Sequence, residues 1–131
     1  MESYVDSGQA VLMIQLGRWH TAAGIPAALA WLRSDDFTPD YESFQARHPP
    51  GSEGDGTAAH VCTFFDAVGS LCRHGLVPEA TLFDWLEAGP AWDRLKGYVF
   101  GTRRRTALPT LWLNFELLAT DHKRMTREYS T

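Results

Sequence analysis

The stretch TAAHVCTFFDAVGSLCRHGLVPEATLFDWLEAGPAWDRLKGYVFGTRRR, residues 57–105, decides the fold. Val61, Phe64, Phe65, Val68, Leu71 and Cys72 recur at helical spacing, and Gly75 closes the run. Pro78 opens a second run around Leu82, Phe83, Trp85 and Leu86. Gly89 and Pro90 repeat the punctuation before Trp92, Leu95, Tyr98 and Val99. Period, stop signals and residue preference agree, which predicts an all-α fold.

Working toward the N-terminus, residues 49–56 read Pro-Pro-Gly-Ser-Glu-Gly-Asp-Gly, the sharpest break in composition, and are expected to form an exposed, flexible loop. A glycine-rich loop before a helix can cradle phosphate. This one carries Glu53 and Asp55 and lacks a following Lys, so a linker is the preferred reading. Further back, Asp6 or Ser7 can cap a first helix holding Val11, Leu12, Ile14, Leu16 and Trp19. Its apolar residues run round much of its circumference, which predicts a central or interface position. Gly24 ends it, and Pro26 suits the first turn of a second helix with Leu29, Trp31 and Leu32. Asp35 and Asp36 then stand where a helix C-terminus disfavours negative charge. Thr38-Pro39 signals a short third helix with Tyr41 and Phe44. At the other end, a last helix is expected to begin near Pro109, with Leu111, Trp112, Phe115, Leu117 and Leu118 inside. The sum is a single domain over residues 1–131, an irregular or orthogonal bundle of about six helices.

The totals bound the function classes. A chain of 131 residues makes one ordinary domain, and 44% hydrophobic content excludes disorder. A net charge of −4 argues against a nucleic-acid binder that uses its whole surface. Cys62 and Cys72 lie ten residues apart on one predicted helix, about 15 Å along its axis, too far for a disulfide. Two reduced cysteines, an acidic polar start and no apolar run of membrane length predict a cytoplasmic protein.

The candidate chemistry is sparse. His60 with Cys62, and Cys72 with His74, are two apart and point to opposite sides of a helix, so no metal site and no cofactor are expected. Asp66 and Glu116 are carboxylates set within apolar stripes, where an unpaired charge is costly. Arg103, Arg104 and Arg105 are their expected partners, either as an interhelical salt bridge or as an anion site. On the salt-bridge reading, Asp66→Ala costs about 2–4 kcal/mol. The five Trp residues are expected mostly in the core, with Trp92 partly exposed. No nucleophile, phosphate-loop or metalloprotease pattern is present, so the reading leans away from an enzyme.

Ala28-Leu-Ala-Trp-Leu with Asp36-Phe37, Phe64-Phe65-Asp66 with Gly75-Leu-Val, then Trp92, Arg104 and Asn114-Phe-Glu-Leu-Leu-Ala resemble a small helical family defined only as domain of unknown function four-seven-six-zero. The resemblance covers about residues 27–119. It implies helical architecture, bacterial origin and no assigned reaction. The family often carries Glu where this chain has the shorter Asp66, and many members have a preceding membrane helix that this chain is expected to lack. The resemblance singles out Asp66, Arg104 and Glu116.

The expected function is a protein–protein interaction module, homodimeric, with Leu12, Leu16, Trp19 and Trp92 as interface candidates. The alternative is a protein binding a small anion or nucleotide through Arg103, Arg104 and Arg105 with Asp66 or Glu116. Self-association or another protein partner is preferred, a small anion is possible, and nucleic acid and membrane are disfavoured.

Overall fold

A computed structural model describes residues 6–130, which form an all-α domain. Seven helices lie among the described residues: α1 Ser7–Ala22, α2 Ile25–Arg33, α3 Tyr41–Arg47, α4 Glu53–Arg73, α5 Glu79–Leu82, α6 Ala88–Thr106 and α7 Leu113–Ser130. Two of them, α3 and α5, are short. None is long and apolar enough to cross a membrane.

Local chemistry sets the helix starts. Asp6 caps α1 in a capping box: its carboxylate accepts from Gln9 N–H, and the Gln9 side chain accepts from Asp6 N–H. Asp40 caps α3 through Ser43 N–H at 3.0 Å, and this hydrogen bonding holds its carboxyl below the usual range. Ser52 caps α4 through Asp55 N–H at 3.3 Å. That last cap corrects the expected loop over residues 49–56. The helix begins at Glu53, four residues before Thr57, and takes Gly54 and Gly56 into its first turns. Gly54 is needed there because the His48 ring lies where a Cβ would stand, 2.2 Å from Nδ1. The start expected near Pro109 is also corrected: α7 begins at Leu113, after Trp112 at φ 59°.

The core is built on α4 and α7, which make the most extensive helix pair, with α6 packed beside α7. Phe65 of α4 stacks on Phe115 of α7 with centroids 4.9 Å apart, and Trp92 of α6 meets the same Phe115 edge-on at 5.2 Å. Gly69 lets the pair approach: a Cβ there would stand 2.4 Å from the Asn114 carbonyl oxygen. A second aromatic cluster of Trp31, Phe37, Phe44 and Tyr98 joins α2, α3 and α6. Cys62 is buried and Cys72 partly buried, both as free thiols. Burial raises the Cys62 thiol well above its ordinary pKa and pushes Cys72 up to about 12, so neither is a reactive thiolate near neutral pH.

Candidate functional site

Asp66, on the fourth turn of α4, does not pair with an Arg. Its Oδ1 accepts the backbone N–H groups of Asn114 at 2.9 Å and Phe115 at 3.2 Å. These are the second and third residues of α7, so the carboxylate caps that helix from across the bundle. The cap must come from elsewhere because Trp112, just before α7, is in the left-handed region and its indole N–H is donated to Thr63 Oγ1 at 3.2 Å.

The salt-bridge expectation holds for a different pair. Arg103 Nη1 meets Glu116 Oε1 at 2.9 Å, and its Nε donates to Leu111 O at 2.8 Å. One guanidinium thus fastens α6 to the α6–α7 turn and to the first turn of α7. Arg104 is exposed with no ion pair or hydrogen bond among the described residues. Arg105 donates from Nε to the Tyr41 hydroxyl at 3.2 Å. The three arginines therefore leave α6 on three sides, and none lines the clefts described below. The arrangement brings Arg103 to Glu116 and Asp66 to a helix end; it does not assemble the five residues around one ligand position.

The interface candidates divide. Leu16 and Trp92 are buried in the core, so the expected partial exposure of Trp92 is corrected: the ring sits between Phe100 and Phe115. Leu12 is half-buried against the core, and Trp19 lies over Phe64 with centroids 4.7 Å apart. The outward face of α1 instead carries Val11, Ile14 and Arg18, at helical spacing i, i+3, i+7. Val11 is 53% exposed and Ile14 60%.

Three further side chains close helix ends across the fold, and the sequence reading missed all of them in that role. His122 of α7 accepts Gly89 N–H on Nδ1 at 3.0 Å, at the second residue of α6. Arg94 of α6 donates from Nε to Leu32 O at 2.6 Å and from Nη2 to Phe37 O at 3.2 Å, and lies over the Phe37 ring. Its charge sits at the C-terminal end of α2, which offsets the unfavourable Asp35 and Asp36. His60 Nε2 of α4 meets Ala23 O, at the end of α1, at 3.1 Å. Only the misplaced Asp35-Asp36 pair hinted that a cation was required nearby. The rest have backbone partners, which leave no mark in a sequence.

A cleft of about 930 Å³ lies between α2 and the first turns of α4. Trp31, His48, Glu53, Thr57 and His60 border it among small Ala and Gly residues. No group of three metal-ligating side chains converges there or elsewhere among the described residues.

A family model described as a domain of unknown function, DUF4760, matches residues 12–122. The chain belongs to this family. The matched span takes in Asp66, Arg103, Glu116 and His122, so the cross-bundle cap, the Arg103–Glu116 pair and the His122 cap all fall inside the family's domain. No curated protein and no solved structure matches the chain.

Proposed function

We propose that the protein is a protein–protein interaction module that self-associates through the outer face of α1. The supporting observation is that face itself. Val11 and Ile14 lie opposite Leu16, which is already buried, so the helix carries more apolar surface than one core contact uses. Arg18 continues the stripe and Asp6 stands at the helix start. Antiparallel pairing of two copies about the Val11–Ile14 pair brings each Arg18 toward the other copy's Asp6, an isologous contact. The same reading places the protein in the bacterial cytoplasm, with its two thiols reduced.

Light scattering coupled to size exclusion tests this. The wild-type chain is expected to run as a dimer at tens of micromolar, and Ile14→Glu as a monomer with unchanged helical circular dichroism. A monomeric wild type across that range removes the proposal.

A further inference from the structure

We propose that the seam between α7 and the start of α6 is a proton-operated latch, with His122 as the titrating group. α6 has no cap of its own: Glu87 precedes its first turn and makes no side-chain bond to it. The only side chain that satisfies its early N–H groups among the described residues is His122, whose Nδ1 accepts from Gly89 N–H at 3.0 Å. An imidazole nitrogen accepts only while it carries no proton, so the bond requires the neutral ring with its hydrogen on Nε2. Protonation turns Nδ1 into a donor facing a donor. It also sets a positive charge against the positive end of a 19-residue helix. Both effects push the ring away.

The surroundings give the charged ring somewhere to go. Phe83, after α5, packs on the imidazole with centroids 4.7 Å apart. Asp84 borders the same small hollow with Met125 and Thr126. Glu87, before α6, is the carboxylate whose field favours the protonated form. On α7 itself, Lys123 is paired with Asp93 of α6, and Asp121 with Arg124, so neither cation is left free beside the ring. Desolvation holds the ring below its ordinary pKa, which keeps the latch closed at neutral pH. Close approach is built in: a Cβ at Gly89 would stand 2.9 Å from Nδ1. Acidification therefore releases the first turn of α6 and the Phe83 corner while the distant end of α7, held by Asp66, stays docked.

Amide exchange of Gly89, read by NMR as a protection factor against pH, tests the latch. Protection in the wild type is expected to fall about tenfold between pH 7.5 and pH 5.5, while Asn114 and Phe115 amides hold theirs. His122→Asn keeps an acceptor oxygen near the Nδ1 position and cannot titrate, so its Gly89 protection should be flat over the same range. Ring ¹⁵N shifts of the wild type should show the proton on Nε2 at pH 7.5. Constant wild-type protection, an equal fall in His122→Asn, or a proton on Nδ1 at pH 7.5 overturns the proposal. Should His122→Asn fail to fold, the two wild-type measurements decide alone.

Discussion

The start and the middle of α7 are fastened by the same geometry and different chemistry. At its start, Asp66 accepts two N–H groups of α7; halfway along it, His122 accepts one N–H of α6. Both satisfy orphan donors of a helix N-terminus from another helix. The carboxylate is an acceptor in its charged form and suits the helix dipole. The imidazole is an acceptor only when uncharged, and its charged form opposes that dipole. One junction is a permanent clamp and the other is conditional. Packing follows the same division: a Cβ at Gly69 would meet backbone, whereas one at Gly89 would meet the side chains of His122 and Lys123.

The largest expected break in that contrast comes from glycine. Gly69→Ala drives a methyl into the Asn114 carbonyl, and even after the gain in helix propensity it should cost about 2 kcal/mol. Gly89→Ala meets movable side chains and should cost about 1 kcal/mol or less. Urea denaturation of both variants checks this, and equal losses would mean that the two seams are equally rigid. Next in size is Asp66→Ala, at about 1–2 kcal/mol, with Asp66→Asn retaining most of the stability through its remaining oxygen. The Ala figure lies below the 2–4 kcal/mol expected for a broken buried ion pair, because no Arg is stranded. A neutral result for Ala would show that the cap contributes nothing.

The smallest effect is a slope with pH at the neighbouring α5–α7 contact. Burial, then the Asp121 carboxyl, raise Glu79 from 4.5 to about 7. A folded-state pKa above the unfolded one means stability that is full below about 4.5 and lost as pH rises toward 7. His122 runs the other way: its pKa is lowered, so its contribution is present above 6.5 and lost as pH falls. Glu79→Gln should remove the first slope and leave the second, as read from denaturation midpoints at pH 5 and pH 7.5. A Glu79→Gln variant with the wild-type slope would show that the acid pair is not its source.

The helices were legible in the sequence because their signals are local. Asp6 and Pro26 mark the starts of α1 and α2 where expected, and Gly75 sits just past the end of α4. Residues 49–56 misled because glycine content argued for a loop while Ser52 and the close His48 ring favoured a helix. Leu16 reads as an interface candidate from the apolar circumference of α1 and Trp92 from its place at a helix start beside Pro90, and neither signal distinguishes a core face from a docking face. Asp66 reads in the sequence as a carboxylate in need of an Arg, whereas its partners are a pair of amides that every residue type but proline carries. Arg103 and Glu116 did find each other, since opposite charges on adjacent helices leave a legible trace.

The closures across the fold span 33 to 62 residues of chain. An excised α6 or α7 thus loses the group that finishes its start, and neither carries a local substitute there among the described residues. Such ends form only once the whole bundle has docked, which couples secondary to tertiary structure in a single all-or-none step and leaves little room for stable fragments.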